Sequence, residues 1–150
     1  MKRNSIIFSL SIAALIVVLA ACKKDDPIND SPMPNGEFTV ERSGTFTAEN
    51  NQPTAGTVEY GKDEDDVYFV KLGSDFTTDQ ATGTLGLYFS TSAVFTSDPG
   101  NGNPDLMALG TITQNGEQYI KLDEAVASNF THIILWCNTA SVSFGNAQLQ

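Results

Sequence analysis

Histidine, cysteine, tryptophan and basic side chains are all scarce in this chain of 150 residues. It holds one histidine, one tryptophan, two cysteines, and eight Lys and Arg against 18 Asp and Glu. Each shortage excludes a class of chemistry. A structural zinc site draws on about four His or Cys ligands, and only Cys22, His132 and Cys137 are on offer. No Cys-x-x-Cys redox pair and no Cys-x-x-Cys-His haem attachment site is present. A Ser–His–Asp triad would have to use His132, and no Gly-x-Ser-x-Gly elbow accompanies it; an exposed histidine at a strand end is the simpler reading. Phosphate-cradling glycine loops are also absent. The net charge of −10 opposes binding to nucleic acid, whose phosphates would repel it.

The front of the chain sets its location. Lys2 and Arg3 precede an apolar run from Ile6 to Ala21. At about 16 residues the run is short for a membrane span, which needs roughly 20, and it suits a secretory leader. It closes on Leu19-Ala20-Ala21-Cys22, which resembles a bacterial lipobox. There the leader, residues 1–21, is cleaved and the Cys22 thiol carries a diacylglycerol, with a further acyl chain such as palmitate on its nitrogen. Stable anchoring takes more than one chain, at about 0.8 kcal/mol per buried CH₂, and this arrangement supplies it. Lys23-Lys24-Asp25-Asp26 resembles the export signal of surface lipoproteins of Bacteroidetes, which implies the outer membrane and the face toward the medium; the alternative reading is a solvated, charged start to the tether. Residues 22–36 are rich in Pro, Asn and Asp and read as a flexible tether.

Residues 37–150 then form one domain, long enough to bury a single core. Lys2 and Arg3 leave with the leader, which takes the net charge from −10 to −12; such a balance suits a solvated extracellular domain. Asp63-Glu64-Asp65-Asp66 lacks the alternating ligands and turn glycine of a calcium loop, and reads as a solvated hairpin turn. Residues 98–105, Asp-Pro-Gly-Asn-Gly-Asn-Pro-Asp, fail the same test and read as a surface loop. No metal site is expected.

Helical periodicity is weak. Short runs rich in Val, Ile, Thr, Tyr and Phe alternate with Gly, Asn, Asp and Pro clusters, which predicts an all-β antiparallel sandwich or barrel of about eight strands. The strands are expected over 37–48, 55–61, 67–72, 84–90, 106–114, 118–122, 131–138 and 141–144. Asn115-Gly116 predicts a hairpin, because both residues tolerate positive φ. Asn138-Thr139-Ala140 predicts a tight turn between the last two strands, and residues 123–129 a single helical turn. In 131–138, Ile133, Leu135 and Cys137 share one face while Ile134 and Trp136 share the other. Both faces are apolar, which places this strand at the centre of a sheet.

Cys137 is the remaining source of chemistry. With Cys22 lipidated, it has no second cysteine in the mature chain to bridge to, and export places it outside the reducing cytosol. Residue type alone favours packing, since such cysteines are small hydrophobes and inert when buried. The surrounding motif points further. Ile133-Ile134-Leu135-Trp136-Cys137, followed by Val142-Ser143-Phe144-Gly145-Asn146-Ala147-Gln148-Leu149, resembles the closing motif of the electron-transfer DM-thirteen domain. Upstream landmarks agree in order: Ser43-Gly44-Thr45-Phe46, Ala55-Gly56-Thr57-Val58, Leu72 with Asp75-Phe76, Leu109-Gly110, and Gly116 with Tyr119. The chain departs from the family at Gly83-Thr84-Leu85, where a Gly-Pro-Asp-Leu-like turn is usual.

The resemblance implies an extracytoplasmic β domain with Cys137 as its redox residue and Trp136 as that residue's neighbour, working with a redox partner protein. The thiol acts either bare or as a haem ligand. His132 is five residues from Cys137, about 17 Å along a strand and on the opposite face, so without a bulge the two cannot share one iron; nothing in the sequence places Met107 near it, and a haem would need the Cys137 thiolate alone. The rival function is a non-catalytic surface binding module in which Cys137 only packs; a third, calcium-dependent carbohydrate binding, rests only on the acidic turn and the fold class.

Overall fold

The structure, a computed structural model, describes residues 33–80, 83–97 and 102–150. The expected leader, Cys22 and most of the expected tether lie outside them, as do residues 98–101 of the expected surface loop. Among the described residues the fold is all-β. Its nine strands are β1 (Thr39–Thr45), β2 (Thr47–Ala48), β3 (Thr57–Lys62), β4 (Tyr68–Leu72), β5 (Leu85–Ser90), β6 (Leu106–Thr111), β7 (Gln118–Lys121), β8 (His132–Cys137) and β9 (Val142–Gln148). They form two antiparallel sheets, in the orders β1-β3-β4-β7 and β2-β9-β8-β5-β6.

The alternating apolar residues of each sheet face the other and make the core. Val58, Tyr60, Val70 and Leu72 come from the first sheet; Leu85, Leu87, Phe89, Ile133, Leu135, Cys137 and Phe144 from the second. β8 lies between β5 and β9, so its apolar run is covered on both sides, and Ile133, Ile134, Leu135 and Cys137 are all fully buried. The expected central strand is found.

Three expectations need correction. The first strand is not continuous: it breaks at Phe46, whose buried side chain enters the core while its N–H donates to the Gly56 carbonyl at 2.9 Å. β1 stays in the first sheet and β2 joins the second, as strands do at sandwich corners, so eight expected strands become nine. The Asn115-Gly116 turn is not a hairpin, since β6 pairs with β5 and β7 with β4; the turn carries the chain from one sheet to the other. Asn115 instead holds residues 76–80, its Oδ1 accepting from the Thr78 N–H at 3.0 Å and Gln80 Nε2 at 2.8 Å. Residues 123–129 form bends and a turn, not a helical turn. The Val126 N–H there donates to Tyr60 Oη at 2.9 Å, and Arg42 donates to the Phe130 carbonyl at 2.6 Å. Tertiary partners take the backbone groups that a helix would have used.

The acidic block does form the hairpin turn between β3 and β4. Asp63 organises it from a buried position: Oδ1 accepts the Asp65 and Val67 N–H groups, each at 3.0 Å, and Oδ2 accepts the Asn35 N–H at 2.9 Å. Burial pushes this carboxyl up, but the N–H groups and the more distant Lys121 outweigh it and hold it below the usual carboxylate range. A carboxyl depressed in the folded state contributes stability that is full above its unfolded value, about 3.9, and lost as pH falls through the folded one. Asp63→Asn is therefore expected to be less stable than the parent at pH 7, by about 1–3 kcal/mol. The gap should close as pH falls below about 3.9, read by urea unfolding at stepped pH. An equal gap at pH 7 and at pH 2 would contradict the assignment.

Candidate functional site

β8 carries the three residues singled out from the sequence, and the sheet keeps them apart. Cys137 faces the core at the C-terminal end of the strand, opposite Leu85 on β5 and Val142 on β9. Trp136 faces outward. His132 sits at the other end of the strand, opposite Ser90 and Gln148. It is half-buried rather than exposed, and Thr131 Oγ1 lies 2.9 Å from its Nδ1. Burial lowers the imidazole from its ordinary value, so it is uncharged near neutral pH.

Cys137 has 0 % exposure and is not disulfide-bonded. Its sulfur meets the turn that follows and Thr84. The chain turns immediately after it through Asn138–Ser141, all four residues exposed, and Ser141 closes the turn at φ 55°. The Ala140 N–H points at Sγ from 3.4 Å, the Ser141 N–H donates to the Cys137 carbonyl at 2.8 Å, and Thr84 Oγ1 lies 3.9 Å from Sγ. Thr84 also fastens the turn. Its Oγ1 is 2.7 Å from Thr139 Oγ1 and accepts the Thr139 N–H at 3.3 Å, while its carbonyl accepts the Asn138 N–H at 3.1 Å. Position 84 lies in the stretch where the sequence departs from the Gly-Pro-Asp-Leu pattern. Nothing local in the sequence marks it as a latch, because its partners are more than 50 residues away.

On the outer face Phe95 lies flat on Trp136, with centroids 4.1 Å apart and planes 8° from parallel. Phe95 also meets Tyr88 edge-on at 5.1 Å, and Asn138 Nδ2 donates to Tyr88 Oη at 3.2 Å. The clefts on this side are lined by Trp136, not by Cys137. Sequence reasoning missed Phe95, which sits in no strand and has no period to betray it.

The residues around Cys137 do not fit a haem. The sulfur is enclosed by core side chains, Thr84 and the Ala140 backbone, whereas a cofactor of that size needs a pocket of at least about 300 Å³. Among the described residues, neither His132 nor Met107 is placed as an axial partner. Met107 pairs with Phe89, which pairs with Ile133, so it lies four residues from the level of Cys137, roughly 13 Å along the strands. Among the described residues no three His, Cys, Asp or Glu side chains come together to hold a metal ion.

Comparison with known proteins returns one family: the model described as electron transfer DM13 matches residues 45–149. No curated protein and no solved structure matches the chain.

Proposed function

The chain belongs to the electron transfer DM13 family, and on that premise we propose that Cys137 is its redox residue, in a domain anchored outside the cytoplasm through diacylglyceryl Cys22. The observation that carries this reading is the contact between the sulfur and the exposed turn that follows it. The exposed four-residue turn after Cys137, latched by Thr84, points an N–H at Sγ. That donor faces the atom on which negative charge develops when the thiol gives up its proton. With the turn open, the chemistry available to a single thiol is exchange with a partner's disulfide. The Cys137 proton passes to solvent, Sγ forms a new S–S bond to one partner sulfur, the old S–S bond breaks, and the second sulfur leaves as a thiolate that takes up a proton. Attack by a second thiol on the mixed disulfide returns Cys137 to its reduced state.

A second reading has its own observation. Cys137 has 0 % exposure and packs with the core, which suits a surface binding module in which the cysteine is only a small hydrophobe. Labelling by a small thiol reagent separates the two. Under the redox reading, native protein labels slowly through local opening, and Thr84→Ala, which removes both Thr139 bonds, speeds labelling about tenfold or more at roughly 1 kcal/mol per bond. The urea midpoint should move little by comparison. Labelling that tracks global unfolding in both proteins would favour packing and sink the redox thiol.

A further inference from the structure

β6 and β7 are edge strands of different sheets and do not pair with each other. The sandwich therefore has a seam between them, and a cleft of about 370 Å³ lies there, between residues 107–109 of β6 and residues 121–130. Its volume falls in the range of small-molecule sites, about 300–1,000 Å³. The walls are apolar. Met107 and Leu109 come from β6, Leu122, Val126 and Phe130 from the crossing segment, and all five belong to the core or pack against it. Ala108, Ala125 and Ala127 line the cleft too, at exposed positions where a longer side chain would fill the space.

The crossing segment is fastened to the first sheet along its length, so the cleft is formed before a ligand arrives. The Leu122 N–H donates to the Tyr68 carbonyl at 2.9 Å and the Val126 N–H to Tyr60 Oη at 2.9 Å, while the Phe130 carbonyl accepts from Arg42 at 2.6 Å. The Phe130 ring also meets Phe89 edge-on at 6.3 Å. Charge on the lining favours a cation. Asp123 and Glu124 are exposed, and neither forms an ion pair among the described residues. Lys121 is the one cation lining the cleft among the described residues, and it also acts on Asp63, so the local balance is one positive charge against two negative. The chain as a whole carries −10, and such a field draws cations in and repels anions. An apolar wall beside a carboxylate rim suits a ligand divided in the same way.

We propose that this cleft binds a small amphiphilic amine, with its apolar body against Met107, Leu109 and Phe130 and its ammonium group at Asp123 and Glu124. The site is separate from Cys137, since Met107 lies four residues along the strands from that level. Fluorine NMR with three probes that share one body and differ in the head group tests this: para-fluorophenethylamine, para-fluorophenylpropanol and para-fluorophenylpropionate. The full chain would be held in lipid nanodiscs. Two filling variants, Ala127→Trp and Ala108→Phe, measured in the same nanodiscs, give the part of the signal that comes from lipid.

The expected result is saturable line broadening with the amine, which binds about tenfold tighter than the alcohol through two exposed carboxylates, and weaker binding still of the propionate. Each filling variant should lose saturable binding of amine and alcohol alike. Asp123→Asn combined with Glu124→Gln should keep the alcohol and bring the amine to within about twofold of it. Circular dichroism confirms that the variants are folded, and two filling positions on different segments guard against one misfolding. No saturable binding of the amine, or propionate binding as tightly as the amine, would overturn the proposal. So would saturable binding that survives in both folded filling variants, or a tenfold amine preference that persists once the carboxylates are gone.

Discussion

Phe89→Ala is expected to lose about 3–5 kcal/mol of stability, the range for emptying a large aromatic from a close-packed core. Phe89 has 0 % exposure and joins the two sheets. From β5 its ring meets Tyr60 of β3 edge-on at 5.9 Å, and Phe130 at 6.3 Å. Tyr60 in turn stacks on Tyr68 at 5.6 Å, carries the Arg42 guanidinium 4.4 Å above its ring, and accepts the Val126 N–H. Removing Phe89 therefore takes a wall from an assembly that also closes residues 122–130 over this end of the sandwich. The cavity cannot collapse cheaply, because β5 is held in register on both sides, by β8 and by β6. In urea unfolding the midpoint should drop with the slope preserved, and the melting temperature should fall by about 12–20 °C. Val94→Ala is the control: at 70 % exposure it should stay within about 0.5 kcal/mol. A loss below about 1 kcal/mol for Phe89→Ala would contradict the packing described.

Gly56→Ala should be comparably damaging, for a different reason. Gly56 has φ +107°, and a Cβ there would lie 2.5 Å from the Phe76 Cα and 2.7 Å from the Asp75 carbonyl oxygen. Those are backbone atoms, pinned by the Ala55–Thr77 bridge and by the Gly73 N–H on the Thr57 carbonyl at 2.9 Å. The strained dihedral costs about 1–3 kcal/mol, and forcing the two chain segments apart about 1–3 more. The Phe46 corner should also loosen, since its N–H donates to the Gly56 carbonyl. Gly83→Ala separates the two terms. It too has positive φ, +63°, but among the described residues nothing lies within 4 Å of its Cβ position, so it should cost only about 1 kcal/mol. Equal losses at the two positions, measured by thermal or urea unfolding, would mean that close approach plays no part.

Much of the architecture was legible because it is written in local pattern. Alternation in 132–137 separates the Ile133-Leu135-Cys137 face from the Ile134-Trp136 face, and the double apolar character places that strand centrally. The acidic block and the Asn138–Ser141 turn lie where turn chemistry puts them. The failures share one physical cause. Whether a strand continues through Phe46 or switches sheets depends on what Phe46 packs against, chiefly Phe76 at 5.4 Å, and no local period records that. Asn115-Gly116 has the chemistry of a hairpin, yet its amide bonds residues 35 to 38 positions away, and pairing energy with β4 and β5 outweighs the turn preference.

The candidate site divides along the same line. The sequence by itself determined that Cys137 follows the only tryptophan, that the chain is all-β and acidic, and that Leu19-Ala20-Ala21-Cys22 resembles a lipobox. These follow from residue identity and from periods of two, which act within a few residues. Only the tertiary structure decided how deep the thiol lies, that Thr84 latches the turn above it, that Met107 lies too far away to share an iron with it, and that Phe95 covers Trp136. Those facts rest on contacts between segments far apart in the chain, and such contacts take shape only when the two sheets close on a shared core.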